Sequence, residues 1–141
     1  AVETTPCTRP TTGYIKIHEV KAMPSVNACP SAIESTTLEE TEYMTDVQGL
    51  KDLGGALEYG ANLTEDLIDA WDTLMEAYDT AVEGGKQVWF AVVHPKLANA
   101  TYFVGTPAPL GLNEAEVDAM LETTLYITPN SAPEMAAAPT V

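Results

Sequence analysis

Residues 64–93 decide the fold, because the stretch TEDLIDAWDTLMEAYDTAVEGG is followed at once by KQVWFAVV. Apolar residues recur every three or four positions in the first stretch, which predicts an amphipathic helix over residues 65–83. Thr64 is a good N-cap for this helix, and Gly84 and Gly85 end it. The second stretch is rich in β-branched and aromatic residues, which predicts a strand. We therefore expect one helix packed on a sheet.

The apolar stripe of the helix should form the helix–sheet core. Its members share one helical face and are Leu67, Trp71, Leu74, Tyr78 and Val82. The other face is acidic and has no Lys or Arg, and acids in the last turn oppose the helix dipole. Packing of the stripe on a sheet must therefore supply the stability of the helix.

Strands are predicted on both sides of the helix. Residues 13–20, 32–38 and 53–63 precede it, and residues 87–93 and 101–106 follow it. The turn-forming HPKLANA joins the last two, which predicts an antiparallel hairpin.

Three segments are less regular. The long polar stretch over residues 39–52 reads as a loop, and loops of this length usually have a function. Residues 114–128 show a helical face first and β-alternation later, so periodicity alone predicts a short helix that enters a strand. The Thr- and Pro-rich residues 1–12 and the tail over 129–141 read as arms that a partner would order.

Composition bounds the function further. At 141 residues the chain is one domain, and 21 acidic residues against 6 basic ones give a net charge of −15. A surface of this charge repels nucleic acid and anionic lipid. The alternative is that the charge only keeps the protein soluble. No apolar run of membrane-spanning length and no signal-peptide pattern occurs, so we expect folding in a cytoplasm. Cys7 and Cys29 are expected to remain thiols, although a bridge is possible if their segments pair.

No catalytic motif stands out. The phosphate-binding, serine-hydrolase, zinc and Cys-x-x-Cys patterns are all missing from the sequence. His18 and His94 lie within or at the end of predicted strands, where a packed or solvent-facing histidine is the common case. Acid pairs such as Glu114 and Glu116 arise by chance in so acidic a chain. The sequence therefore predicts no enzyme activity, no cofactor and no metal site.

The order and wording of several segments resemble the major tail (tail tube) proteins of long-tailed bacteriophages. The matching stretches are the predicted opening strand from residue 13 running into IHEVKAMPSV, then IESTTLEE, QGLKDLGGALEYGANL, the helix, QVWFAVVHP and LETTLYITPNSAP. Together they span residues 13–133. The resemblance implies a mainly β fold, a β-sandwich or partial barrel flanked by one α-helix, with strands that close a shared barrel in a hexameric ring. It divides the chain into an N-terminal arm (1–12), a tail tube domain (13–128) and a C-terminal arm (129–141).

The resemblance also implies a function and partners. Hexameric rings would stack into the tube of a long, non-contractile, siphovirus-type tail, so the protein would pass from the host cytoplasm into the virion. Its partners would be copies of itself, a tape measure protein and tail terminal and initiator proteins. Double-stranded DNA would pass through without specific binding, and no membrane partner is implied.

Two groups of residues acquire roles through this resemblance. Residues 117–128 should be mostly strand, with Glu116, Asp118, Glu122 and Thr124 on one face and Val117, Leu121, Leu125 and Ile127 on the other. The candidates for an acidic lumen are Glu58, Glu116, Asp118 and Glu122. The loop over residues 39–52, together with the two terminal arms, would bridge rings. The candidates in the loop are Glu39, Glu40, Glu42, Tyr43, Met44 and Asp46.

One alternative belongs to another class of protein. A non-catalytic decoration or binding module of the β-sandwich type would also need no active site. It would favour a compact aromatic surface patch, whereas most aromatic residues here fall at core-like positions.

Overall fold

The computed structural model describes residues 1–27, 29–39, 43, 44 and 46–140, apart from the side chain of Cys29. Its elements in chain order are β1 (Val20–Ala22), β2 (Cys29–Glu34), β3 (Asp46–Asp52), β4 (Leu57–Asn62), α1 (Glu65–Glu83), β5 (Trp89–Val93), β6 (Asn99–Pro107), β7 (Glu122–Pro129) and β8 (Glu134–Ala137). The helix ends where expected. Thr64 accepts a bond from the Leu67 amide at 3.3 Å, and Gly85 adopts a left-handed φ of 69° just beyond the last turn.

Six strands form the main sheet, in the order β1-β4-β7-β6-β5, and β8 pairs with β6 beyond the end of β7. Every pair is antiparallel. The sheet curls into a half-barrel, and α1 packs on one of its faces. The predicted class, mainly β with a partial barrel and one helix, is confirmed. The predicted hairpin of the two strands after the helix is also present, as β5 and β6.

The core lies between α1 and the inner face of the sheet. Leu67 is 0% exposed and Trp71 is 1% exposed. The strand residues that face them are Leu57, Tyr59, Ala61, Phe90, Phe103, Leu125 and Ile127. Complete burial of one such side chain stabilises the fold by about 1.5–3 kcal/mol. The Trp71 indole N–H also donates to the Ala108 carbonyl at 2.9 Å, so the polar atom of the ring is satisfied.

The predicted helical stripe is correct except at its last member. Leu74 and Tyr78 pack against the core, but Val82 is 54% exposed, so its assignment to the core was wrong. Positions 67, 71, 74 and 78 alternate steps of four and three, and the next step of three reaches Ala81, which is 3% exposed. Because one residue turns the helix by about 100°, Val82 lies beside the buried stripe.

The strand bounds differ from the predicted ones. β2 (Cys29–Glu34) lies earlier than the strand expected over residues 32–38, and β4 begins at Leu57 rather than at residue 53. The strand expected over residues 13–20 forms only from Val20, because Glu19 adopts a left-handed φ of 65° that interrupts extended backbone. The helix and strand expected between residues 114 and 121 are both wrong, since β7 begins at Glu122. Glu122 pairs with Asn62, the last residue of β4, so earlier residues have no strand to pair with. Asp118, with a φ of 67°, turns the chain there.

The stretch over residues 39–52 is not all loop. Its second part is β3, which forms an antiparallel hairpin with β2. Glu40 and Glu42 lie outside the described residues.

Because Leu67 is buried and Val82 is exposed, shortening these two side chains of α1 should lower the free energy of unfolding by different amounts. Leu67→Ala should lower the free energy of unfolding by about 2–5 kcal/mol, because it removes buried atoms and leaves a cavity. Val82→Ala, the exposed control, should change it by less than about 0.5 kcal/mol. Urea denaturation of both variants measures the difference. Equal losses would contradict the packing described.

The buried hydroxyl of Tyr59 should make the stability of the fold depend on pH. This hydroxyl is buried without a hydrogen-bond partner among the described residues, and burial raises the pKa of Tyr59 from 10.0 to about 12. A raised pKa contributes stability that is complete below pH 10 and is lost as the pH rises through 12. Tyr59→Phe should therefore be at least as stable as the wild type at pH 8 and lose less stability by pH 11. Urea midpoints at both pH values test this, with the more exposed Tyr126→Phe as the control, which should follow the wild type.

Candidate assembly surfaces

The face of β4 and β7 that points away from α1 carries two of the four lumen candidates. Along β4 the residues alternate, with Leu57, Tyr59 and Ala61 buried and Glu58 exposed. Along β7, Thr123, Leu125 and Ile127 are buried, whereas Glu122 is exposed. The strand part of the predicted division of β7 into two faces is therefore correct. Glu58 pairs across the strands with Tyr126, and Glu122 pairs with Asn62, so both acids lie on one continuous open face.

One base is close to this face. The Lys21 ammonium forms an ion pair with the Glu122 carboxylate, and both side chains are about half exposed. An exposed pair of this kind contributes only about 0–1 kcal/mol, so it orients the two side chains more than it stabilises the fold. Lys21 also neutralises one of the acids of the open face, whereas Glu58 forms no ion pair with any residue that the structure describes.

The other two lumen candidates lie in the segment between β6 and β7 rather than in a strand. This segment is bonded to β7 where the Thr123 hydroxyl donates to the Gly111 carbonyl and the Asn113 amide donates to the Thr124 hydroxyl. Glu116 is exposed beside β7. A shallow concavity joins it to the open face, and its lining is Asn113, Glu114, Glu116, Ala119, Met120 and Glu122. Asp118 is exposed at the turn and does not line this concavity.

The β2–β3 hairpin forms a separate surface. In the part of the chain that the structure describes, these two strands pair only with each other. Ile33 and Val47 face each other across the hairpin, yet they are 58% and 55% exposed. At the end next to the connecting loop, Glu34 faces Asp46, and like charges opposite each other destabilise a strand pair. An isolated hairpin with these features is marginal in water.

The described inter-ring candidates lie in the segment that joins β2 to β3 or at the start of β3. Glu39 is exposed, and Asp46 is the first residue of β3. Tyr43 and Met44 are 80% and 71% exposed. Like Ile33 and Val47, they are apolar side chains that remain exposed outside the main sheet.

The two terminal segments, predicted as free arms, contact the main sheet. Val2 forms a bridge with Val88 at the start of β5, and β8 pairs with β6 from Asn99 to Tyr102. The Arg9 guanidinium stacks over the Tyr102 ring at 4.7 Å and pairs with Glu134 at 2.5 Å. Sequence reasoning missed these contacts because Arg9 and Glu134 are 125 positions apart and no local pattern connects them.

The side chains that most often bind metals form no metal-binding cluster in the described residues. Within the described ranges, no group of three or more His, Cys, Asp or Glu residues could hold a metal ion. The described helix is too polar to cross a membrane. Cys7 is an exposed free thiol. His18 is exposed, and His94 accepts a bond from the Lys96 amide in the turn between β5 and β6.

Comparison with known proteins identifies the fold. No protein-family model matches the chain, and no curated protein matches its sequence. The chain is similar to a chain in the cryo-electron microscopy structure of the sixfold-symmetrised baseplate of the anti-feeding prophage. The TM-score is 0.53 at 10% sequence identity, over 87% of this chain and 82% of that one. This chain therefore has a phage tail-type β-rich fold.

Proposed function

We propose that this chain is a structural virion protein that assembles as stacked hexameric rings into the tail tube of a long-tailed phage. The observation that carries the proposal is the fold shared with a chain of a sixfold-symmetrised, phage-derived baseplate, which covers 87% of this chain. The sequence resemblance to tail tube proteins supports the finer assignment to the tube. We infer a role in assembly and none in catalysis.

The open face of β4 and β7 is proposed to line the lumen. α1 covers the opposite face, so the face that carries Glu58 and Glu122 can point into a central channel when curled sheets are joined side by side. An anionic wall repels DNA phosphates and creates no wells that would hold the polymer. The seven exposed acids of α1 would then lie away from the channel, namely Glu65, Asp66, Asp69, Asp72, Glu76, Asp79 and Glu83. There they would keep the subunit soluble.

The β2–β3 hairpin is proposed to contact the next ring. It presents Ile33 and Val47 to solvent and pairs with no other described strand, so its apolar side chains are exposed in the described part of the subunit. Burial of those side chains against a second copy would stabilise both the hairpin and the stack. Contacts with a tape measure protein and with tail terminal and initiator proteins would occur only at the lumen and the tube ends.

Negative-stain microscopy of the purified protein, with and without added tail initiator, tests the proposal. Hollow tubes whose rings average to sixfold symmetry support it. Single rings that never stack would instead indicate a baseplate component, and particles that remain monomeric in high salt would favour a decoration or binding module.

Substitutions in the hairpin should separate assembly from folding. Ile33→Thr with Val47→Thr keeps β-branched side chains but reduces the apolar surface. We expect the free energy of unfolding to change by less than about 0.5 kcal/mol and tube formation to be lost. Leu97→Thr, at a 58% exposed position in the β5–β6 turn, is the matched control and should form tubes. Light scattering and microscopy provide the measurement, and normal tubes from the hairpin variant would contradict the stacking role.

Charge reversal on the open face should slow DNA transit. Glu58→Lys places a cation where the DNA phosphates would pass. Each contact between a cation and a phosphate raises the affinity of the wall for DNA, and added salt weakens that affinity. We expect particles with this change to eject DNA several-fold more slowly, with recovery as salt is raised. Glu76→Lys on the exposed face of α1 makes the same change in net charge and serves as the control. Dye-detected DNA release measures the rate, and equal rates in the two variants would exclude Glu58 from the lumen.

A further inference from the structure

The two terminal segments of the chain pair with β5 and β6 on different edges: residues 1–3 lie along the outer edge of β5 at its start, and β8 pairs with the edge of β6 that also receives β7. Residues 1–3 run beside the start of β5, where the Trp89 amide donates to the Ala1 carbonyl and the Glu3 amide donates to the Gln87 carbonyl. β8 covers β6 from Asn99 to Tyr102. At the other end of the sheet, no described strand pairs with the outer edge of β1.

Which strand edges are free and which are covered bears on ring assembly. A ring of identical subunits needs one sheet edge from each side of every subunit, because the contact is head-to-tail. Here the outer edge of β1, and that of β5 after Trp89, pair with no described strand, whereas the edge of β6 over residues 99–102 carries β8. Strand edges are places where another chain can pair, and covering them prevents that pairing.

The anchoring of the N-terminal segment differs from that of β8. Glu3 is 2% exposed, and its carboxylate accepts bonds from the Cys7 and Gln87 amides, each at 3.0 Å. In β8, by contrast, Met135 is 67% exposed and both Glu134 and Ala137 are exposed. β8 therefore buries little apolar surface, and specific polar contacts must hold it.

Those contacts converge on Tyr102. Its hydroxyl donates to the Ala137 carbonyl at 2.5 Å, near the end of β8. Arg9 stacks over the same ring and pairs with Glu134 at the beginning of β8. Tyr14 contacts the ring edge-on at a centroid distance of 5.7 Å, and burial, with Tyr102 beside it, raises the pKa of Tyr14 to about 12. One arginine and one tyrosine thus fasten both ends of β8.

We propose that β8 is a displaceable latch, fastened by Arg9 and Tyr102, that keeps the edge of β6 closed in the free subunit. Release of β8 exposes the backbone of residues 99–102 for pairing with a second copy. The latch would delay self-association until subunits meet a growing assembly. This inference rests on the proposed function, since it concerns the start of ring assembly.

Two variants with matched controls test the latch. Arg9→Gln removes the stack and the ion pair, and Lys86→Gln makes the same charge change at an exposed lysine. Tyr102→Phe removes the bond to Ala137, and Tyr78→Phe removes a comparable hydroxyl bond to Thr106. Hydrogen–deuterium exchange over residues 99–102 and 134–137 reports latch opening, and light scattering with microscopy reports the lag before assembly. Thermal denaturation checks that every variant is folded.

Arg9→Gln and Tyr102→Phe should each speed exchange in both segments by about two- to tenfold, the effect of one lost hydrogen bond. The assembly lag should shorten by a similar factor, while both controls follow the wild type. Faster exchange with an unchanged or longer lag would overturn the latch, because β8 would then be a structural strand or part of the interface. Unchanged exchange would also overturn it.

The two proposals can fail separately. Wild-type tubes with no acceleration in the latch variants would retain the tail-tube function and reject the latch. If the wild type never forms tubes but sedimentation velocity detects oligomers of Arg9→Gln and Tyr102→Phe, the latch stands and the tube proposal fails. If no variant associates under any condition, both are rejected.

Discussion

The antiparallel pairing of β4 with β7 is the interaction on which the rest of the structure depends. Its register runs without a break from Leu57 opposite Ile127 to Asn62 opposite Glu122. Because side chains alternate across a strand, this one register sends the apolar residues of both strands towards Leu67 and Trp71 of α1. A shift by one residue would bury Glu58 and Glu122 and expose the core. The same pairing therefore creates the hydrophobic core and the acidic open face.

The structure has a stable centre, and the elements at its periphery bury little apolar surface. α1 and the central strands share the core, whereas the β2–β3 hairpin lies outside that sheet and β8 is held largely by backbone bonds and a few polar contacts. Elements with little buried apolar surface open more easily than the core. In the proposed assembly, such elements would exchange contacts within the subunit for contacts between subunits. The proposed stacking contact and the proposed latch both use these marginal elements, whereas the proposed lumen lies on the central strands.

Net charge acts alongside these local features. At −15 the subunits repel one another, which favours association only where apolar surfaces and strand edges compensate for the repulsion. The acids are divided between two regions by the fold, with Glu58 and Glu122 on the open face and a larger group on α1. Composition alone predicts neither region, because it does not say which residues the sheet register turns outward.

The sequence by itself determined the local features. Thr64 as N-cap, the end of α1 at the glycine pair, the helical stripe up to Tyr78 and the strands around the helix follow from periodicity and capping, which depend on near neighbours in the chain. The tertiary structure decided what depends on distant partners. β7 begins at Glu122 because β4 ends opposite it, and Val82 is exposed because the sheet contacts the face that contains Ala81. β8 forms because β6 offers it a free edge, and Arg9 meets Glu134 because folding brings together residues 125 positions apart. Strand pairing and long-range side-chain contacts are properties of two segments at once, so neither segment encodes them alone.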